Sequence, residues 1–155
     1  MKSFKKYVEK CKPFPWTLVR EHPNDWLVGN NSLLISFVRF KLIMEAVKHY
    51  FSTGFTVLDV GVYPGIVPQL FHEYYPSVGD YRYYGLGLGF NDEFTEKMDE
   101  YGVKLLECDL DPRLNLNGKR VTSIPLEDET IDFVIFTDVI EHFFVPFYPL
   151  QEINR

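Results

Sequence analysis

The stretch Phe55-Thr-Val-Leu-Asp-Val-Gly-Val-Tyr-Pro-Gly65 combines the residue types of a ligand-binding turn. Its first half is an apolar run typical of a buried strand, and Asp59 stands where that run ends. Gly61 and Gly65 allow the backbone to turn sharply and let a ligand approach closely. The next residues have helical spacing, so the turn would lead into a helix N-terminus with outward-pointing N–H groups. This pattern predicts a site for a nucleoside-type cofactor.

Strands and helices alternate along the chain, which predicts an α/β fold, a Rossmann-like parallel sheet with flanking helices. The predicted strands are 56–60, 81–86, 103–107 and 131–136. The predicted helices are 33–51, 66–75 and 92–101, with a helix or turn over 139–144 and a last helix that opens at Pro149. Ligands in such sheets bind at the carboxyl ends of the strands. Asp59, Gly87, Asp109 and Thr137 with Asp138 fall at those ends.

The helix predicted before the first strand is amphipathic, because its apolar residues recur at three- and four-residue steps. Asn30-Asn31-Ser32 would provide its N-cap, and Gly54 would close the segment. We therefore divide the chain into an N-terminal helical cover, residues 1–54, and a partial Rossmann-like cofactor-binding domain, residues 55–155. Trp16 and Trp26 would either form a lid over the cofactor or anchor the cover to the sheet.

Composition and net charge argue against some classes of binding partner. With 155 residues, 46% hydrophobic and 25% charged, the chain is an ordinary globular protein of one domain. Its net charge of -6 argues against nucleic acid as the main partner, since such proteins usually carry a basic face. Charges interrupt the longest apolar stretch, 33–51, so no membrane span is expected.

The cysteine and histidine positions predict no metal site. Cys11 and Cys108 lack zinc-ligand spacing, and free thiols in a reducing cytosol are the simplest interpretation. We expect a cytoplasmic protein, because the N-terminus has no apolar core of a signal peptide.

Three segments resemble the class I S-adenosylmethionine-dependent methyltransferases, particularly their small-molecule branch. Residues 57–65 resemble the family's first motif, and Cys108-Asp109-Leu110 resembles the segment after its third strand. The closest likeness is in the fourth-strand region, Ile124-Pro-Leu-Glu-Asp-Glu-Thr-Ile-Asp-Phe-Val-Ile-Phe-Thr-Asp-Val-Ile-Glu-His142. The resemblance implies the methyltransferase type of Rossmann-like sheet, S-adenosylmethionine as cofactor and a small-molecule methyl acceptor.

The resemblance also implies roles for single residues. Asp59, Gly61 and Gly65 would shape the pocket for the methionine part of the cofactor, and Tyr63 would make its floor bulkier than the family's usual glycine. Asp109 and Leu110 would meet the adenine. Thr137 and Asp138 would border the methyl-donor site. His142 is the candidate base for an acceptor that must lose a proton, with a helix-cap or packing histidine as the alternative.

The sequence departs from the family's pattern at the second strand. The family ends that strand with an acid that holds the ribose hydroxyls, and Gly87 stands there in Tyr84-Gly-Leu-Gly-Leu-Gly89. A hydrogen bond to a charged group contributes about 1.5–3 kcal/mol, so its loss would weaken binding about ten- to a hundredfold. Asn91 or Asp92 could substitute from the next loop.

A further departure is at the end of the chain, because the family's fifth strand and its terminal antiparallel pair would follow Arg155. Either the sequence is a fragment of a longer protein or its fold is incomplete. Strand four would then be an apolar edge, and such edges invite pairing with another chain. We therefore expect a homodimer that covers this edge.

Two other functions compete with methyl transfer. A non-catalytic Rossmann-like scaffold or interaction domain that has lost cofactor binding would explain Gly87 and the short C-terminus. A nicotinamide-dependent enzyme is a weaker alternative, because Gly61-Val-Tyr-Pro-Gly65 lacks the GxGxxG spacing that pyrophosphate needs.

Overall fold

A computed structural model describes residues 30–76, 80–111 and 122–155, with side chains from residue 38 onward. The proposed lid around Trp16 and Trp26, the thiol of Cys11 and most of the N-terminal cover lie outside the described residues. The described part of the cover, residues 30–54, is one long helix followed by a short turn.

The described segments contain four strands, four α-helices and one 3₁₀ turn. The helices are α1 (Asn30–Tyr50), α2 (Ile66–Tyr74), α3 (Asp92–Glu100) and α4 (Phe147–Ile153). The strands are β1 (Phe55–Val60), β2 (Tyr81–Gly87), β3 (Val103–Glu107) and β4 (Phe133–Phe136), and the 3₁₀ turn is Ile140–His142. Asn91 caps α3, since its side chain accepts a 2.8 Å hydrogen bond from the Phe94 N–H.

The four strands form one parallel sheet in the order β3-β2-β1-β4. Asp59 lies level with Gly85 of β2 and with Ile135 of β4 in the register. Strand β1 is therefore central and buried along its whole length. An all-parallel sheet with flanking helices confirms the predicted Rossmann-like α/β class.

Side chains of β1 alternate between two apolar layers, as the pleat of a strand requires. One layer joins Val57 to the buried stripe of α1, which includes Phe40, and to α2. The other joins Leu58 to Leu110 beyond β3 and to Ile153 of α4. Both faces of the sheet are covered, which is why β1 carries almost continuous apolar residues.

Strand β4 begins at Phe133, two residues later than predicted. Asp132 stays outside the ladder proper because its carboxylate accepts a 2.7 Å hydrogen bond from the Thr56 N–H. Its own N–H donates to the Thr56 carbonyl at 3.0 Å. A side chain thus takes the place of a backbone acceptor at the start of the strand.

Two helix boundaries were also predicted wrongly. Helix α4 begins at Phe147, and Pro149 is its third residue. Proline is tolerated there because the first N–H groups of a helix have no partner within the helix. Helix α1 begins at Asn30, so Asn30-Asn31-Ser32 forms its first turn instead of preceding it.

In the described segments, no helix is both long enough and apolar enough to cross a membrane.

Candidate functional site

The turn between β1 and α2 is held to the carboxyl end of β2. The N–H groups of Gly61 and Val62 both donate to the carbonyl of Leu86, at 2.8 and 3.1 Å. The Gly65 N–H donates back to the Val62 carbonyl at 2.8 Å, which closes the turn just before α2. Asp59 is therefore presented at a defined place on the carboxyl edge of the sheet.

Both predicted glycines are needed for this geometry. Gly61 and Gly65 have φ values of 80° and 88°, a region that L-residues rarely adopt. A Cβ on Gly61 would lie 2.5 Å from Cγ2 of Val139, and a Cβ on Gly65 would lie 2.7 Å from Cε of Met98. The glycines thus allow the turn and also let the segment after β4 and helix α3 pack against it.

A cavity of about 110 Å³ opens beside this turn. Five residues that the sequence analysis selected line it, namely Asp59, Gly61, Tyr63, Thr137 and Asp138. The other described residues that line it are Arg39, Phe40, Val62, Pro64, Ile66 and Val67. Gly65 belongs to the same turn without lining the cavity. The carboxyl ends of β1 and β4, with α1 and the start of α2, therefore border one small cavity with both charged and apolar lining residues.

Asp59 is a buried carboxylic acid at the wall of this cavity, with 4% of its surface exposed. Its Oδ2 accepts a 2.9 Å hydrogen bond from the Tyr83 hydroxyl. Burial raises the pKa of Asp59 to about 7, and the hydrogen bond from Tyr83 opposes part of that rise. Burial, with the adjacent Asp59, also raises the pKa of Tyr83, so the tyrosine keeps its proton and stays the donor. A cationic group in the cavity would stabilise the ionised form of Asp59.

Two further charged side chains meet at the cavity. Arg39 of α1 forms an ion pair with Asp138, which follows β4. Asp138 has a φ of 54°, a left-handed conformation that aspartate and asparagine tolerate better than most residues. The side chain of Asp138 is 54% exposed, whereas that of Arg39 is 22% exposed. The cavity therefore combines a buried acid with an arginine that already holds an anion.

Gly87, Asp109 and Leu110 lie at strand ends but do not line this cavity. A Cβ on Gly87 would be 3.0 Å from the ring of Phe90, so that ring occupies the space beside the strand end. Asp109 is buried, and its Oδ1 accepts a 3.1 Å hydrogen bond from the Asp111 N–H. Leu110 packs in the apolar layer on the other face of the sheet.

His142 is exposed at the end of the 3₁₀ turn and lies outside the cavity lining. Its N–H donates to the Val139 carbonyl at 3.0 Å. An exposed imidazole does not suit a packing role, and the base and helix-cap interpretations of His142 stay predictions.

Sequence reasoning missed Arg39 and Phe40, the contribution of α1 to the cavity. In the sequence, Arg39 is one of the charges that interrupt the apolar stretch 33–51. Phe40 belongs to the apolar stripe of this helix and is 5% exposed. Arg39 directly precedes Phe40, so it lies at the boundary of the buried stripe. This boundary position is the sequence feature that could have identified Arg39 as a cavity residue.

Across the segments with described side chains, no three His, Cys, Asp or Glu residues lie close enough to hold a metal ion. Cys108 is buried, and burial raises the pKa of its thiol to about 11. Comparison of the chain with protein-family models, with curated proteins and with solved structures finds no match.

Proposed function

We propose that the protein binds S-adenosylmethionine at the carboxyl edge of its sheet and transfers the methyl group to a small-molecule acceptor. The observation that carries the proposal is Asp59, a buried acid that faces a cavity beside a glycine turn. The resemblance of residues 57–65 and 124–142 to the first-motif and fourth-strand regions of class I methyltransferases supports it. The strand order β3-β2-β1-β4 is compatible with the methyltransferase type of sheet.

The residues of the cavity fit the amino-acid end of this cofactor. Asp59 would pair with the ammonium group, and charge-assisted hydrogen bonds of this kind are the strong ones. Arg39 would bind the carboxylate in its planar, two-donor fashion. At about 110 Å³ the cavity suits such an end group and is smaller than the roughly 300 Å³ or more of a complete ligand pocket. The nucleoside would therefore lie outside it, along the ends of β2 and β3.

The residues fit the ribose less well. Gly87 carries no carboxylate, and Phe90 fills the adjacent space. Of the two proposed substitutes, Asn91 already uses its side-chain oxygen to cap α3. Glu107, another acid near this end of the sheet, accepts a 3.2 Å hydrogen bond from the Gly89 N–H. We therefore propose that affinity comes mainly from the methionine end.

When bound, the cofactor would supply an activated sulfonium methyl group, which would pass to the acceptor while S-adenosylhomocysteine is displaced as the leaving group. Such a displacement depends on alignment of the two partners more than on acid–base groups. In this chain Asp59 and Arg39 would fix one end of the cofactor, and Thr137 would border the methyl group. His142 stays the candidate base, reaching an acceptor from outside the cavity.

Calorimetric titration with S-adenosylmethionine and S-adenosylhomocysteine tests the proposal. The variant Asp59→Asn keeps an acceptor for Tyr83 while it removes the charge, so we expect about ten- to a hundredfold weaker binding. Asp99→Asn on the exposed side of α3 is the matched control and should bind like the natural protein. Equal affinity of the Asp59 variant and the control would refute the assigned role of Asp59.

A non-catalytic scaffold remains the second candidate, and the Phe90 ring beside Gly87 is the observation that favours it. In that case neither S-adenosylmethionine nor S-adenosylhomocysteine would bind at millimolar concentration. Tight binding of a dinucleotide would instead support the nicotinamide alternative.

A further inference from the structure

The ion pair between Arg39 and Asp138 lies where the proposed ligand carboxylate would bind. Arg39 and Asp138 both line the cavity that Asp59 faces, and they are paired with each other. Among the described side chains that line this cavity, Arg39 is the cationic one and Asp59 and Asp138 are the anionic ones. An incoming carboxylate would therefore compete with Asp138 for the same guanidinium.

We infer that Asp138 is an internal competitor for the carboxylate of the ligand, and that it sets how strongly the cavity selects ligands with an intact amino-acid end. The inference rests on the proposed function, since it assigns a specificity-determining role at the same site. Asp138 would occupy Arg39 when the cavity holds no carboxylate and would release it when one binds.

The backbone on both sides of Asp138 is held in place while its side chain has room to move. Thr137 lines the cavity, and Val139 packs so closely on the turn that a Cβ on Gly61 would meet its Cγ2 at 2.5 Å. The left-handed φ of 54° turns the chain between these two residues. Because more than half of the Asp138 side chain is exposed, it can rotate into solvent when its partner is taken.

The exposure of Asp138 also sets the expected size of the effect. An ion pair that is open to solvent contributes little, and breaking it would cost a ligand only about two- to fivefold in affinity. The competition should weaken further as salt is added, because exposed charges are screened. The pair therefore moderates ligand affinity and does not abolish it.

The test uses two ligands that differ only in the carboxylate, S-adenosylhomocysteine and its decarboxylated analogue, which keeps the ammonium. Calorimetry at low ionic strength compares the natural protein with Asp138→Asn, because asparagine retains the tolerance for φ above zero. The control is Glu129→Gln, which removes the same charge at another left-handed position (φ 57°) away from this cavity. Asp138→Gly, which also accepts the left-handed backbone, replaces the first variant if that one fails to fold.

We expect Asp138→Asn to bind S-adenosylhomocysteine about two- to fivefold more tightly and the decarboxylated analogue no more tightly. Glu129→Gln should change neither affinity. Unchanged or weaker binding of S-adenosylhomocysteine by Asp138→Asn, or an equal gain for both ligands, would overturn the inference while leaving the proposed function intact. Absence of binding by all three proteins would overturn both, and binding by Asp138→Asn alone would support the competition.

Discussion

The hydroxyl of Tyr83 donates a 2.9 Å hydrogen bond to Oδ2 of Asp59 in the interior of the protein. The two residues lie on neighbouring strands, and both side chains point to the face of the sheet that α1 and α2 cover. The hydrogen bond stabilises the carboxylate, whereas burial stabilises the neutral acid, and burial has the larger effect on the pKa. The protonated fraction of Asp59 near neutral pH therefore depends on two opposing effects, burial and the Tyr83 hydrogen bond. A single substitution that changes either effect should shift the pKa of Asp59.

Protonation of Asp59 should make stability depend on pH. Its pKa is about 7 in the folded protein against 3.8 for an ordinary aspartate, so between these values the folded state holds a proton that the unfolded state has lost. Stability due to Asp59 is thus complete below about pH 4, falls as the pH rises and levels off above about pH 7. Asp59→Asn should remove this pH-dependent loss of unfolding free energy, which amounts to about 4 kcal/mol at most.

Urea unfolding of both proteins between pH 4 and pH 8 measures this difference. The free energy of unfolding of Asp59→Asn, relative to the natural protein, should increase up to about pH 7 and then stay constant. A difference that is the same at every pH would show that Asp59 does not titrate in this range.

The Tyr83 hydroxyl should set the pH at which a cationic ligand binds. In Tyr83→Phe the carboxylate loses its donor, so the pKa of Asp59 should rise further and binding of S-adenosylhomocysteine should require a higher pH. Tyr84→Phe is the matched control, because Tyr84 packs in the apolar layer on the opposite face. Calorimetry across pH 6 to 9 should show a shifted profile for Tyr83→Phe alone. Coincident profiles would exclude a proton-linked role for this hydrogen bond.

Alanine substitutions at Gly54 and Gly65 should distinguish the cost of backbone strain from the cost of side-chain overlap. Both have positive φ, 81° and 88°, but a Cβ on Gly54 meets nothing within 4 Å whereas one on Gly65 meets Met98 at 2.7 Å. Gly54→Ala should lower the free energy of unfolding by about 1–2 kcal/mol through strain alone. Gly65→Ala should cost about 1–3 kcal/mol more because of overpacking. Equal losses in urea unfolding would show that Met98 moves aside without cost.

Strand β4 is the edge of the described sheet, and we expect a second copy of the chain to cover it. Its residues Phe133, Val134 and Phe136 are half-buried, while Ile135 is buried. Light scattering coupled to size-exclusion chromatography should give the mass of a dimer. Hydrogen exchange of the β4 amides should slow as the protein concentration rises. A monomer at high concentration, with exchange independent of concentration, would contradict the expected dimer.

Local sequence determined the strand-turn-helix unit around Asp59, because its features depend on neighbours in the chain. An apolar run makes a buried strand, and glycines permit positive φ. The cap of helix α3 is equally local, since Asn91 directly precedes that helix. The alternation of strands and helices likewise predicted the parallel sheet. The start of β4 was predicted too early, since a contact between Asp132 and Thr56, 76 residues away, sets it.

Only the tertiary structure decided that Arg39 meets two acids. The strand-end pattern had already put Asp59 and Asp138 at one edge of the sheet, but no spacing in the sequence relates Arg39 to them. The packing of α1 over the ends of β1 and β4 brings Arg39 to the same cavity. The same packing buries Asp59 and so changes the pKa of a residue whose type was evident from the start. Burial and ion pairing depend on distances between elements, and those distances are properties of the folded chain.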